Sequence, residues 1–243
     1  MLKKNQYVWI YGYHSVAQAL KNTKRKHKTL LITKESYDKH QTTISPLAPN
    51  INIQISTKAK ITELLPKGAN HQNIALHTSN PSKTDIEEIL TTNSSQSTVL
   101  ILDQVTDIGN IGAILRSAAA FEVDAVVLTR HHAPNHSIIS KTASGALETV
   151  PLIYVNNIAS TMRQAKQQGY WCYGMDEKSS TALQQVQFDR KCVIVLGSEG
   201  SGLRRLTKEQ CDCMVRIPIS ANVNSLNVSN AAAIILHSLY ITN

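Results

Sequence analysis

The sequence lacks the features that mark membrane and secreted proteins. No segment approaches the roughly 18 consecutive apolar residues of a membrane-spanning helix. The first residues include Lys3 and Lys4 but no apolar stretch after them, so they do not have the pattern of a secretory signal. These absences predict a cytoplasmic protein, or an organellar one if a transit peptide has been removed.

Cysteine and aromatic residues are also scarce. The 243 residues include four cysteines, two tryptophans and two phenylalanines. Cys211 and Cys213 form a Cys-x-Cys pair, but no second Cys or His pair stands at the spacing of a zinc site. We therefore expect reduced thiols and no bound metal.

Positive charge, by contrast, is abundant and unevenly distributed. The net charge is +8, and residues 1–78 hold twelve Lys and Arg against three Asp and Glu, whereas residues 79–243 hold thirteen against fourteen. The densest basic run lies at 21–28. Such a run is usually a solvated face. A small unit that carries the whole excess beside a nearly neutral larger one nevertheless favours a polyanionic partner.

The first part of the chain, residues 1–78, alternates short helical and strand-like patterns, which predicts a small α/β domain. The strand-like patterns lie at 29–33, 51–55 and 74–77, and the helical ones at 10–20, after an opening turn, and at 61–65. Residues 79–97 are polar and are predicted to form a linker with a short helix inside it.

The second part, residues 98–243, contains continuous apolar runs of the kind found in strands covered on both faces. The runs lie at 99–102, 125–128, 152–155, 193–196 and 215–217, and helical patterns lie at 111–121, 138–144, 158–168 and 227–240. This alternation predicts an α/β domain with a parallel sheet. Because such sheets bind ligands at the carboxyl ends of their strands, we expect the functional site in the loops at that edge.

The first of three notable loops contains Asn110, Gly112 and Arg116 at the start of a helix, in the spacing Asn-x-Gly-x-x-x-Arg. Asn110 is a suitable N-cap, and Gly112 allows a close approach to the first turn. Arg116 follows Asn110 by less than two turns, so both can face the same end of the helix. Taken alone, the pattern is equally typical of a capped helix with a surface arginine.

The second and third loops are rich in glycine and small polar residues. Residues 197–202 have the sequence Gly-Ser-Glu-Gly-Ser-Gly, which is neither a Rossmann fingerprint nor a P-loop. Glu199 within it would repel phosphate, which favours a cationic or neutral ligand. The third loop joins a strand that ends at Pro218 to an alanine-rich helix over 227–240, where free backbone N–H groups would face a ligand. An ordinary connection with Ser and Asn caps explains that segment equally well.

Together, these loops resemble the three motifs of the SpoU (TrmH-like) RNA ribose methyltransferases of the SPOUT superfamily. The motifs are matched by Asn110, Gly112 and Arg116, by residues 197–200, and by residues 217–219 with 224–229. Residues 10–17 and 70–75 resemble, more weakly, the small ribosomal-protein-like RNA-binding domain of that family. The most similar subgroup methylates a guanosine ribose in large-subunit ribosomal RNA. The sequence departs from the family at Glu122 and Ala221, where many relatives have glycine.

The resemblance implies an S-adenosylmethionine-dependent RNA 2′-O-methyltransferase that acts as a homodimer on ribosomal RNA and binds its cofactor in a deep trefoil knot. Backbone groups of Gly197, Ile217 and Leu226 would hold the cofactor. The neighbouring residues that would line its pocket are Leu196, Ser198, Gly200 and Pro218.

The resemblance also implies catalytic roles. A guanidinium is effectively always protonated, so Arg116 would stabilise the developing alkoxide and hold the adjacent phosphate rather than act as a base. Glu199 would accept the proton or orient Arg116. The residues that would position the ribose and the cofactor tail are Asn110, Ser225 and Asn227.

Two other functions remain open at the level of sequence. The same chemistry with transfer RNA as substrate is one, although the separate N-terminal domain favours ribosomal RNA. A non-catalytic RNA-binding or ribosome-assembly factor is the other, although the full set of motif residues favours an enzyme. A NAD-dependent dehydrogenase is disfavoured because its fingerprint is missing.

Overall fold

The computed structural model describes residues 7–81, 84–131, 139 and 142–242. The chain divides into two compact units, Met1–Lys83 and Thr84–Asn243. This boundary lies inside the segment predicted as a linker over 79–97. The later part of that segment belongs to the second unit, since its Leu90 is 2% exposed and the first strand of that unit begins at Ser97.

The N-terminal unit contains a four-stranded mixed sheet. Its strands are β1 (Tyr7–Tyr11), β2 (His27–Ile32), β3 (Asn52–Ile55) and β4 (Ile74–Ser79), in the order β1-β4-β2-β3. β4 is antiparallel to β1 and β2, and β2 is parallel to β3. The helices are α1 (Tyr13–Lys21), α2 (Lys34–Leu47) and α3 (Lys58–Glu63). The sequence did not predict β1, which lies where only a turn was expected, or α2.

The two faces of this sheet are covered unequally. On one face, Val16 of α1 and Ile44 of α2 pack against Leu30 and Leu76 in the main apolar cluster of the unit. On the other face, the six-residue helix α3 contributes Ile61 to a cluster of only four buried side chains. The second face is therefore the more open one.

The C-terminal unit contains a six-stranded sheet in the order β10-β8-β9-β5-β6-β7, with every recorded pairing parallel. The strands are β5 (Ser97–Asp103), β6 (Ala125–Thr129), β7 (Leu152–Val155), β8 (Trp171–Met175), β9 (Lys191–Gly197) and β10 (Cys213–Val215). The helices are α4 (Ile86–Leu90), α5 (Ile108–Ala120), α6 (Ile158–Gln167), α7 (Arg205–Lys208) and α8 (Val228–Thr242), with short 3-10 turns at Ala146–Glu148 and Leu183–Gln185. The predicted α/β fold with a parallel sheet is confirmed.

Strand β5 lies at the centre of this unit, and all seven of its residues are buried. Leu100 faces a cluster formed with α5 and α8, while Ile101 faces a second cluster formed with α4 and α6. Burial on both faces explains why the central strands appear in the sequence as unbroken apolar runs.

Two details differ from the sequence predictions. β8 was not predicted, and β10 covers Cys213–Val215 rather than 215–217, because Arg216 and Ile217 already belong to the following loop. The helix predicted over 138–144 lies partly outside the described residues. Within the part of the chain that the structure describes, no helix is both long and apolar enough to cross a membrane.

Candidate active site

The site is built at the carboxyl edge of the parallel sheet. β5 ends at Asp103 and β9 at Gly197, and these two residues are paired in register. β10 ends at Val215 on the same side of the sheet, since it runs parallel to β8, which is parallel to β9. The three loops with the sequence motifs follow these three strands.

One residue from each loop joins a single hydrogen-bonded cluster. The Glu199 Oε1 atom accepts hydrogen bonds from Asn110 Nδ2 at 3.1 Å and from Asn227 Nδ2 at 2.7 Å. Asn227 Nδ2 also donates to Asn110 Oδ1 at 3.0 Å. The backbone N–H of Val228, at the start of α8, donates to the same Glu199 oxygen at 3.3 Å. The three segments therefore meet, as expected from the shared edge of a parallel sheet.

Asn110 of the first loop can join this cluster because it is not the N-cap of α5, contrary to the prediction. Asp107 rather than Asn110 is the N-cap of α5, and its carboxylate accepts the Asn110 backbone N–H at 2.7 Å. The Asn110 side chain, freed from capping, extends to Glu199 and Asn227. The prediction of Asn110 as the N-cap was wrong by three positions.

Gly112 permits a close approach to α5, as predicted, but the group that approaches is Thr142 of the protein itself and not a ligand. A Cβ at this position would lie 2.4 Å from both Cβ and Oγ1 of Thr142. The Thr142 hydroxyl is within hydrogen-bonding distance of the Ile108 and Ile139 carbonyl oxygens, at 3.3 and 3.0 Å. Gly112 thus serves the packing of the segment around Thr142 against α5.

Arg116 lies two turns into α5 with its side chain exposed. No hydrogen bond or ion pair of its guanidinium is recorded among the described residues. It does not contact Glu199, so the predicted orientation of Arg116 by Glu199 is not present within this chain. Its role toward a substrate stays a prediction.

The glycine-rich loop after β9 folds back on its own strand. A Cβ on Gly197 would lie 2.2 Å from the backbone carbon of Gly202, so this position excludes any side chain because of the loop itself. Gly202 donates its N–H to the Ser198 carbonyl at 3.0 Å, and the Ser198 and Ser201 hydroxyls are 2.6 Å apart. Gly200 adopts a φ of 86°, which favours glycine, and the space beside it is open.

Sequence reasoning missed the residues that anchor this loop. Asp103 is fully buried at the end of β5, and its carboxylate accepts the Arg204 backbone N–H at 3.1 Å and the Arg204 Nε–H at 2.7 Å. A buried aspartate that ends a strand indicates a partnered charge. Its partner, 101 residues away, gives no local signal.

The remaining predicted cofactor and substrate residues line the same edge. Leu196 is buried as part of β9, so only its backbone is available to a ligand. Ile217 and Leu226 are partly buried at the two ends of the third loop, whereas Pro218 and Ser225 are exposed. The structure brings these residues to one edge of the sheet, and their contacts with a ligand stay predictions.

The titratable groups of the unit give no indication of a metal centre or a reactive thiol. Burial raises the pKa of Cys172, Cys192 and Cys211 to about 12, so these thiols stay protonated at neutral pH. Across the described residues, no group of three or more His, Cys, Asp or Glu side chains is placed to hold a metal ion.

Comparison with known proteins gives matches along both units. The SpoU rRNA Methylase family model matches residues 97–237, and the model for RNA 2′-O ribose methyltransferase substrate binding matches residues 9–84. The 23S rRNA (guanosine-2′-O-)-methyltransferase of Bordetella pertussis is 35% identical over 93% of this chain and 94% of its own length. The enzyme of the same name from Vibrio vulnificus is 37% identical over 94% of each chain. The SpoU methyltransferase AviRb of Streptomyces viridochromogenes, solved in complex with AdoMet, superposes with a TM-score of 0.76 at 21% identity and covers 97% of this chain and 90% of its own.

Proposed function

The chain belongs to the SpoU rRNA methylase family, and on that premise we propose that it transfers the S-adenosylmethionine methyl group to a guanosine ribose 2′-hydroxyl in large-subunit ribosomal RNA. Relatives named for this reaction are 35–37% identical over nine-tenths of both chains. The observation that carries the proposal is the cluster of Asn110, Glu199 and Asn227, in which all three motif loops meet.

The residues at the sheet edge suit S-adenosylmethionine by their chemistry. The cofactor is cationic at its sulfonium and ammonium groups, and Glu199 places at this edge a carboxylate whose partners among the described residues are all neutral. The open space beside Gly200 lets a ligand lie directly against the backbone. We assign cofactor binding to the backbone of Gly197, Ile217 and Leu226, with a pocket lined by Leu196, Ser198, Gly200 and Pro218.

S-adenosylmethionine supplies an electrophilic methyl group when bound, and the protein must help the 2′-hydroxyl lose its proton as the new bond forms. We assign this electrostatic role to Arg116, whose guanidinium is exposed and has no hydrogen bond or ion pair with the described residues. It would stabilise the developing alkoxide while it holds a neighbouring phosphate. Glu199 Oε2, which has no recorded partner among the described residues, accepts the proton. Oε1 meanwhile positions Asn110 and Asn227, and Ser225 contacts the ribose from the third loop.

We also propose that the enzyme is a homodimer with a knotted cofactor site, as in its family, and that it acts in the cytoplasm, where its ribosomal RNA substrate is found. Helix α8 supports the dimer, because it presents Ile234, Tyr240 and Ile241 with 41%, 47% and 65% of their surfaces exposed. Apolar side chains exposed together on one helix favour burial against a partner. Arg116, whose guanidinium has no partner in the part of the chain that the structure describes, would then complete the site across the interface.

The test is a methyl-transfer assay with radiolabelled S-adenosylmethionine and three substrates: 23S ribosomal RNA, 16S ribosomal RNA and bulk transfer RNA. We expect label in 23S RNA only, and nuclease mapping should place it on a guanosine ribose. Label in transfer RNA alone would show that the substrate assignment is wrong. Absence of S-adenosylmethionine binding by calorimetry would instead favour a non-catalytic RNA-binding factor.

A further inference from the structure

The open face of the N-terminal sheet presents a row of side chains from all four strands. The register pairs Trp9 of β1 with His77 of β4, His77 with Thr29 of β2, and Thr29 with Asn52 of β3. Paired residues in adjacent strands point to the same face of a sheet. The row therefore runs straight across the sheet as an indole, an imidazole, a hydroxyl and an amide.

This row borders the covered part of the same face, and Trp9 at one end of it packs against the cluster there. The next row along the strands includes Ala75 and Leu31, and these residues pack against Ile61 and Leu65 in the small apolar cluster beneath α3. In the first row, by contrast, Asn52 is exposed and Trp9, His77 and Thr29 are only partly buried. The first row is left at the surface because α3 is too short to cover it.

The rings at one end of the row are already stacked on each other. The Trp9 and His77 rings have centroids 4.7 Å apart and planes 21° apart, and the Tyr7 ring lies 5.6 Å from His77. The Lys28 ammonium sits 3.7 Å from the centre of the Tyr7 ring, and the Lys28 side chain is exposed. This end of the row therefore presents flat π-surfaces beside a cation, in a unit that holds twelve basic against three acidic residues over 1–78.

We propose that this platform, defined as Tyr7, Trp9, Lys28, Thr29, Asn52 and His77, binds unpaired RNA nucleotides. A base stacks on the Trp9–His77 rings, Lys28 contacts a phosphate, and Asn52 and Thr29 offer hydrogen bonds to a base edge or a ribose. Aromatic rings with adjacent cations are the usual means of holding single strands, whereas bases inside a duplex cannot reach such rings. The inference deepens the proposed function, on which it rests for RNA as the substrate class, by specifying single-stranded RNA next to the target.

The experiment measures binding of fluorescently labelled RNA octamers to the full chain by anisotropy, with a blunt duplex of equal phosphate number and heparin as competitors. Trp9→Leu should weaken single-strand binding at least about fivefold, because one stacked base is lost, and Trp9→Phe, which keeps a ring, should lose less. Lys28→Ala should weaken binding more than Lys39→Ala, which removes an equal, exposed charge from α2 on the opposite face. Thermal unfolding of the whole chain followed by far-UV circular dichroism checks that the N-terminal unit of each variant is folded.

Two results would overturn the platform: Trp9→Leu within twofold of the unchanged protein, or competition by the duplex or heparin as effective as that by the unlabelled single strand. S-adenosylmethionine affinity, measured by calorimetry, should be the same in every variant. If the unchanged protein methylates ribosomal RNA but Trp9→Leu binds octamers normally, only the platform fails. If the unchanged protein neither binds the cofactor nor methylates RNA, the proposed function fails, and the octamer data still decide the platform.

Discussion

Glu199 accepts three hydrogen bonds at one carboxylate oxygen, from Asn110, from Asn227 and from the backbone of Val228. Loss of that oxygen would leave two side-chain amides and the start of α8 without their common acceptor. The two amides are solvent-exposed, so water can replace the lost acceptor at little cost in stability, but nothing would then hold the two side chains in one arrangement.

Arg116 is the residue on which turnover should depend most. We expect Arg116→Ala to reduce methyl transfer by about a hundredfold to a thousandfold, the range seen when a key electrostatic group is removed. Its affinity for S-adenosylmethionine should stay within a few-fold, because no predicted cofactor contact involves Arg116. Single-turnover transfer and calorimetry measure the two quantities.

Arg116→Lys is the matched control for that variant. It keeps the positive charge but removes the planar, bidentate fork, so it should fail as well if phosphate is held by two parallel hydrogen bonds. If Arg116→Ala instead lost cofactor binding, the role assigned to Arg116 would be wrong.

Glu122 occupies a position that suits glycine better. It follows α5 with a φ of 54°, and the Val123 N–H bonds to the Ala118 carbonyl in the manner of a left-handed helix end. Glu122→Gly should therefore stabilise the protein by about 1 kcal/mol, since the strain of a left-handed side-chain residue disappears. Urea denaturation measures the change. Glu122→Ala removes the charge but keeps the Cβ. If Glu122→Ala stabilised the protein as much as Glu122→Gly, the effect would come from the charge and not from the backbone.

Ala221, the other departure from the family, is not among the residues with positive φ.

At the scale of elements, the loop between β9 and α7 is fixed by the pair of Asp103 and Arg204. Arg204→Ala leaves the Asp103 carboxylate buried without its counter-charge, which should destabilise the protein by about 3 kcal/mol. Addition of Asp103→Asn should recover part of this loss, because the buried charge is then gone. Urea denaturation of the single and double variants gives the coupling.

The adjacent arginine provides the control for this pair. Arg205 bonds to Glu209 one turn away, and both side chains are well exposed. Arg205→Ala should change stability by less than about 1 kcal/mol. A similar loss at both positions would mean that the anchoring of the loop is not specific to Asp103.

The strands and helices also show which secondary-structure elements can be predicted from the sequence. The central strands were predicted because β5 and β9 are apolar without interruption. β8, with the sequence Trp-Cys-Tyr-Gly-Met, was missed because it lacks Val and Ile and contains Gly174, whose Cβ would lie 2.6 Å from the Cys211 sulfur. α2 was missed because it is mostly polar and includes Pro46 near its end.

Prediction of the site had a similar limit. Parallel strands place their carboxyl ends at one edge, so the meeting of the three loops followed from the pattern of strands alone. The choice of partners did not: Asp107 and Asn110 both suit an N-cap, and only the folded backbone decides between them. Pairs such as Asp103 with Arg204 depend on tertiary packing, which local sequence does not encode.

At the scale of the whole molecule, the two units should respond differently to acid. Burial, with a smaller effect of nearby lysines, lowers the pKa of His40, His71 and His77 below the ordinary value of 6.5. Between these lowered values and 6.5, the unfolded chain binds protons that the folded unit does not. The N-terminal unit should therefore lose stability as the pH falls below about 6.5.

The C-terminal unit contains a pKa shift in the same direction that acts at a lower pH. Burial would raise the pKa of Asp176, but hydrogen bonds from Lys208 and from the Lys178 backbone outweigh it. The pKa of Asp176 therefore lies below its ordinary value of 3.8. The contribution of Asp176 to the stability of the folded unit is present above pH 3.8 and is lost only as the pH falls further. Between pH 7 and 5, the lowered histidine pKa values should weaken the N-terminal unit, whereas the contribution of Asp176 to the C-terminal unit is unchanged.

Each unit has one tryptophan, which makes the comparison measurable. Urea unfolding of Trp171→Phe reports the N-terminal unit through Trp9, and Trp9→Phe reports the C-terminal unit through Trp171. His71→Gln should make the pH dependence of the first unit shallower, because one buried imidazole no longer titrates. An equal loss of stability in both units over pH 7 to 5 would contradict this account.

The hydrogen-bonded cluster has a consequence for folding during synthesis of the chain. Asn227 lies 117 positions after Asn110 and 28 after Glu199, and it immediately precedes the last helix of the chain. A nascent polypeptide can complete every strand of its sheet while the amides of the first loop still lack their counterpart. The three motif loops therefore cannot form their shared cluster until Asn227 has been synthesised and has left the ribosome.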